Sequence, residues 1–403
     1  MANRELKRKD AALCLFAWDL RDEGLDSVLQ FAADSGLTSL FLASVYHAGW
    51  FVLPHNPRQK CYLTEDGVTY FHPTDSLYDA TPLKPKVARV ADATDWFAEL
   101  SARLGEYGLR LTAWTVCTHN TRLGLAHPEH AVRNAFGDSY PHALCPASPA
   151  VRAYIRALCR DLASQYPLQS IFLEAPDYRG RRHGHHHERD LVPLQALENE
   201  LLGISFSNHD KVQAALGGID AEALQRAIRD HLEAYLASAP KRPAGLPETM
   251  EQFLSDHVAL GDYLALLDGQ VASLIAEIKD DLRGSGVRLE GVEQVPAYDT
   301  ILVGAYGKGP DEVARLTRQA RQRALSHQQL RVGFRLGLGP TGESEGVAGS
   351  EELRDCVQAA TEHGAEAVFF YNYSESPRTY LSWIEPAIAG MIPPPSQGSD
   401  PGR

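Results

Sequence analysis

Short apolar runs alternate with longer amphipathic ones along the chain. Residues 13–18 (LCLFAW), 39–45 (SLFLASV), 110–116 (RLTAWTV) and 170–173 (SIFL) are runs of strand length, and four more follow at 287–290, 300–305, 331–336 and 365–370. Between them the apolar positions recur every three or four residues, the spacing that gives a helix one buried stripe. Such stretches cover 25–35, 94–107, 151–165, 311–324 and 351–363; in 94–107 the stripe is Trp96, Phe97, Leu100, Leu104 and Tyr107, closed by Gly108. Strands that alternate with helices argue for a parallel sheet. Eight such units argue for a closed (β/α)8 (TIM) barrel rather than an open doubly wound sheet. No GxGxxG follows the first strand and no GxxxxGK[ST] occurs, so the nucleotide-binding versions of the α/β plan lose their main support.

Two stretches exceed a minimal barrel. Residues 46–90 carry Tyr62, Val68, Tyr70 and Phe71 around Asp66-Gly67, which predicts a β-hairpin insertion after the second strand, because Asp-Gly suits a tight turn. Residues 178–280, after the fourth strand, hold a His-rich loop and then helical stretches at 221–239 and 250–282, joined by a Pro-rich link. The expectation is one barrel domain over 1–391 that includes both insertions. The tail 392–403 has too little apolar content to pack and is expected to be disordered.

Composition narrows the function. The 403 residues contain 39 Lys+Arg against 52 Asp+Glu, a formal charge of −13. That balance disfavours a phosphate-gripping surface, hence nucleic acid, and anionic membranes for the same reason. No apolar run approaches the ~20 residues that span a bilayer. The apolar run near the N-terminus ends at Asp19 without a small-residue cleavage site, and the six cysteines are scattered with no CxxC. Both point to a cytoplasmic protein with reduced thiols. A homo-oligomer is left open.

In a barrel, chemistry collects where strands end. Just past the runs stand Asp19, His47, His119 with Asn120, Glu174 with Asp177, Glu290 and Glu293, Arg335, and Tyr371 with Asn372. Carboxylates, amides and aromatics on one rim suit a sugar, whose C–H face stacks on rings while its hydroxyls take hydrogen bonds. Glu174 is the leading catalytic candidate, since it ends an apolar strand where burial raises a carboxyl pKa. Glycoside hydrolysis needs two carboxyl groups, and the partner is Glu290 or Glu293 on the fifth strand. Asp19, His47, His119, Asn120, Asp177, Arg335, Tyr371 and Asn372 are candidate binding residues; for Asp19 the alternative is a loop anchor. The internal HGHHHE run adds His185, His187 and Glu188 as binding candidates. No cofactor is expected. The alternative is a divalent metal held between His183 and Glu188, giving a metal-dependent hydrolase or isomerase. A non-catalytic carbohydrate-binding barrel is the third reading.

Ala113-Trp114-Thr115-Val116 followed by His119-Asn120, His127-Pro128-Glu129, Gly137, Leu144-Cys145-Pro146 and Val151-Arg152 resembles the third-strand region of glycoside-hydrolase-like TIM barrels. Phe370-Tyr371-Asn372-Tyr373, with Leu381 and Trp383 beyond, is similar to their last barrel segment. The resemblance implies a barrel with a carbohydrate site and the first catalytic carboxylate on the strand that holds Glu174, where many such proteins carry Asp. The expected substrate is therefore a small carbohydrate or glycoside.

Overall fold

A computed structural model describes residues 9–181, 191–337 and 346–391. Eight parallel strands form its centre: β1 (Asp10–Leu15), β2 (Ser39–Tyr46), β3 (Arg110–Val116), β4 (Ser170–Glu174), β5 (Arg288–Gly291), β6 (Thr300–Gly304), β7 (Gln329–Arg335) and β8 (Ala367–Tyr371). They pair in chain order, and β1 pairs with both β2 and β8, so the sheet closes on itself. This is the (β/α)8 barrel the alternation predicts.

The period of two along each strand sorts the residues into two cores. Outward-facing Leu13, Leu40, Leu111, Ile171, Leu289, Ile301, Val332 and Val368 pack under the surrounding helices. Inward-facing Ala12, Phe41, Trp114, Phe172, Leu302 and Phe369 fill the barrel. Burial on both sides explains why the strands read as continuous apolar runs. Toward the N-terminal end of the barrel the filling turns ionic. The Arg331 guanidinium, 1% exposed, donates to Glu290 at 2.9 Å and to Asp10 at 2.8 Å, and lies 5.0 Å from the Phe41 ring centre. One cation between two carboxylates, each hydrogen-bonded, is an arrangement a low-dielectric interior tolerates.

The first strand lies three residues earlier than its apolar run suggests. A helix, Ala17–Glu23, begins inside that run. Its N-cap is Phe16, whose backbone N–H donates to Asp19 at 2.8 Å. Ala17, Trp18 and Leu20 are buried as helix residues, so an unbroken apolar string serves two elements.

Both insertions differ from expectation in detail. The hairpin pairs Trp50–Val52 with Cys61–Leu63. Asp66-Gly67 instead links it to Val68–Thr69, which lies antiparallel on the end of β2. Asp66 accepts from the backbone N–H groups of Ala48 and Arg122. Gly67 has φ +59°, and a Cβ there would meet Asn120 at 2.0 Å. In the second insertion five helices, Ala196–Gly203, Asn208–Leu216, Ala221–Ser238, Met250–Asp256 and Ala259–Asp281, share a core around Leu201, Phe206, Leu232, Phe253 and Tyr263. The stretch read as one helix over 250–282 is two, bent by 115°. The second of them returns to the barrel, where Glu277 and Asp281 pair with Arg152 and Arg156 at 2.6 Å. Among the described residues no single helix is long and apolar enough to cross a membrane. None of the six cysteines is in a disulfide. The tail at 392–403 and the HGHHHE run, with His185, His187 and Glu188, lie outside the described residues.

Candidate active site

At the C-terminal ends of the strands lies a cavity of about 360 Å³. Its wall is Tyr46, Trp114, Glu174, Val292, Gly304, Tyr306 and Tyr371, and its floor is Phe172, Leu302 and Phe369. The floor residues stand one inward-facing position below rim residues on the same strands, which is why the barrel is packed beneath the cavity. A larger hollow of about 570 Å³ sits in the helical insertion, walled by Ile204, Met250, Leu264 and Leu267 among others. The loop after β4 borders it through Tyr178, Gly180 and Arg181, but no strand-end carboxylate is among its described lining residues, and the chemistry is better sought in the smaller cavity.

Glu174 is the acidic group among the described lining residues of that cavity. It ends β4 level with Val116 of β3, and the Trp114 indole N–H donates to its Oε2. The other oxygen, Oε1, is thereby left to carry a proton. Burial pushes its carboxyl above the usual carboxylate range, against the pull of His47, the Trp114 indole and Arg179. The chain turns sharply just after it. Ala175 has φ +53°, a left-handed conformation that costs about 1–2 kcal/mol for a residue with a Cβ. The backbone N–H and hydroxyl of Thr118 hold the Ala175 carbonyl at 2.9 and 2.7 Å. Those bonds fix the turn and with it the direction of Glu174.

Beside the glutamate the rings of Tyr46, His47 and His119 form a column, with successive centres 4.3 Å apart. His47 Nδ1 donates to the Ala48 carbonyl at 2.8 Å, which fixes the ring's place in the column. Asp177 pairs with Arg179, and both act electrostatically on Glu174 and on Glu293. Burial also raises the Glu293 carboxyl, which the Tyr298 hydroxyl bonds at 2.9 Å.

A groove of about 470 Å³ adjoins the cavity and shares Tyr371 with it. Trp50, Val52 and Pro54 of the hairpin insertion form one side, and Arg335, Asn372, Glu375, Ser376, Pro377 and Tyr380 line the rest. Glu375 lies beyond β8, in a loop where neither periodicity nor a motif marks it. Its Oε2 accepts from the Asn372 amide at 2.6 Å, and its backbone N–H donates to the Asn372 side-chain oxygen at 2.9 Å. Burial raises its carboxyl while Asn372 and Arg335 pull it down. Glu174 shares the cavity with Tyr371 and Glu375 shares the groove with it, so the two carboxylates flank that residue.

The remaining rim candidates are placed elsewhere. Glu290 pairs in register with Phe172, two residues below Glu174 on the neighbouring strand, or roughly 6.6 Å along the strand direction. It is 0% exposed and committed to Arg331, so it belongs to the ionic floor and not to the rim. Asp19, 1% exposed, accepts from Phe16 N–H and from the Ser374 hydroxyl at 2.6 Å; it anchors the loop after β8 and does not line the cavity. Asn120 caps the helix Thr121–Ala126 by accepting from Leu123 N–H and lies against Gly67. Asn372 positions Glu375. Arg335 and Tyr371 do line the sites, Tyr371 both of them.

No family model and no curated protein matches the sequence. Solved structures do match in fold. An α-L-fucosidase isoenzyme from Paenibacillus thiaminolyticus superposes with a TM-score of 0.58 at 12% identity, covering 96% of this chain and 49% of that one. A β-galactosidase from the psychrophilic Marinomonas ef1 gives 0.56 at 12%, covering 94% and 59%. This chain therefore spans about half to three fifths of the length of those two proteins. The PgaB glycoside hydrolase domain from Bordetella bronchiseptica gives 0.55 at 13%, covering 96% and 100%. What the chain shares with these glycoside hydrolases is their fold, a closed (β/α)8 barrel.

Proposed function

We propose that the protein is a glycoside hydrolase in which Glu174 is the proton donor. The observation that carries this reading is Glu174 itself, a carboxyl raised by burial at a strand end and aimed by Trp114 into an aromatic cavity. The solved structures that share the fold support it as well. As the bond from the anomeric carbon to the glycosidic oxygen breaks, Glu174 gives its proton to that oxygen, and the leaving fragment departs as an alcohol. Glu375 is the second carboxylate in this reading, because it lines the groove beside Tyr371, the residue shared with the cavity. It attacks the anomeric carbon or takes a proton from the water that does; either way the water's hydroxyl ends on the sugar.

Assay against a panel of chromogenic glycosides tests the assignment. On any substrate turned over, Glu174→Gln should lose about 10²–10⁴-fold in kcat while the circular dichroism spectrum stays unchanged. The raised carboxyl should also extend activity to higher pH, since the donor must hold its proton. An unchanged kcat in Glu174→Gln rejects the proposal. A normal rate in Glu375→Gln with an inactive Glu293→Gln moves the second role to Glu293.

A further inference from the structure

The cavity and the groove meet at Tyr371, and their walls differ in a way that bears on what the site accepts. The cavity has a closed floor of Phe172, Leu302 and Phe369, so a ligand enters end first. The groove is open, and the apolar side chains on its hairpin side reach solvent: Trp50 is 62% exposed and Val52 58%. Apolar side chains exposed side by side and rimmed by polar groups suit a ligand-binding groove. Across from them sit hydrogen-bonding groups, Arg335, Asn372, Glu375 and Ser376. A ring with an apolar face and polar edges matches that pairing, and a pyranose is such a ring.

Charge narrows the class further. Among its described lining residues the cavity carries no Lys, Arg or His to receive an anionic group. In the groove the one described cation, Arg335, is matched by Glu375, so the two together offer no net attraction to an anion. Among the described lining residues, a uronic acid or a phosphorylated sugar finds no cation in the cavity and in the groove only one that Glu375 offsets.

Building on the hydrolase reading, we infer that cavity and groove are consecutive subsites for a neutral oligosaccharide. The terminal sugar sits in the cavity, the next one lies along the groove on Trp50, and the bond to be cut is beside Tyr371 between Glu174 and Glu375. The enzyme then removes single sugars from a chain end, and the hairpin insertion supplies the selectivity for a second sugar over a smaller leaving group.

Two measurements test this. The first is binding: a library of neutral and of acidic disaccharides is screened against the full-length Glu174→Gln protein by saturation-transfer NMR. Signals from neutral disaccharides, with both rings in contact, are expected. Binding of acidic sugars alone, or of none, overturns the inference whatever the protein hydrolyses. The second uses a disaccharide that is cleaved and the methyl glycoside of its terminal sugar. The ratio of kcat/KM for the two should fall by about tenfold in Trp50→Ala, the loss expected for one aromatic platform. An unchanged ratio overturns the groove subsite and leaves the hydrolase reading in place. Neutral disaccharides that bind across both rings without being cleaved sink the hydrolase reading and leave the subsites standing.

Discussion

Asp19 shows what a single buried carboxyl does to a barrel. It is 1% exposed, and burial, opposed by bonds from Ser374 and Phe16 and joined by the charge on Glu23, pushes its pKa up to about 7. The unfolded chain releases the same proton near pH 4. Between about pH 4 and pH 7 the folded state therefore holds a proton that the unfolded state has lost. The contribution to stability is fully present below about pH 4 and disappears as pH rises through 7. Thermal melts from about pH 4 to pH 8 should show Tm falling more steeply in the native protein than in Asp19→Asn, which has no proton to lose. Parallel curves would mean that Asp19 is ionised in the fold throughout. The same residue shows why side-chain roles were hard to read from the chain. Asp19, Asn120 and Asn372 announce themselves as polar residues near strand ends. Nothing in their identity says that each bonds a nearby backbone N–H, or that of the three Asn372 alone also lines the groove.

Elements were more legible than residues, and their heights least of all. The run 110–116 is strand β3 to the residue, and the amphipathic stretches at 25–35, 151–165 and 351–363 are helices within a few residues. Glu174 stands out in the sequence because it closes such a run, and it lines the cavity at the end of β4. Glu290 was misplaced because a strand's level in a barrel is set by its neighbours, through the pairing of Glu290 with Phe172 and Thr300, and that register is not written in the strand itself. Asp66-Gly67 has the chemistry of a turn but does not close the hairpin, since the pairing partner of Val68–Thr69 is β2. Register also gives two neighbouring glycines opposite meanings. Gly304 of β6 pairs with Gly333 of β7. A Cβ on Gly333 would lie 2.2 Å from the Phe369 ring, whereas one on Gly304 meets nothing within 4 Å and borders the cavity. Gly333→Ala should therefore cost about 1–3 kcal/mol in urea unfolding, the usual range for overpacking. Gly304→Leu should keep the native midpoint and lose ligand binding by filling the space. Equal destabilisation by the two substitutions would contradict this placement of the cavity.

At the scale of the molecule, the barrel is fastened where its ends meet. Beyond the pairing of β1 with β8, the Trp18 indole N–H and Asp19 both bond Ser374. His55 Nε2 donates to the Tyr373 carbonyl at 2.8 Å, and the Tyr373 hydroxyl donates to Glu23 at 3.0 Å. The segment that closes the barrel thus runs directly into the loop that carries Glu375. At the opposite end of the interior, Phe172, Leu302 and Phe369 lie over the Arg331 triad and close the floor of the cavity. That packing imposes an order of departure on the proposed reaction. The fragment in the groove blocks the mouth and must leave first, and the sugar freed in the cavity leaves last by the route it entered. The freed monosaccharide should then inhibit competitively against the oligosaccharide, and the departing fragment non-competitively, in initial-rate product-inhibition plots. The reverse pattern would require a second exit. A floor packed for stability would thereby make the enzyme sensitive to its own accumulated product, slowing chain trimming as free sugar builds up around it.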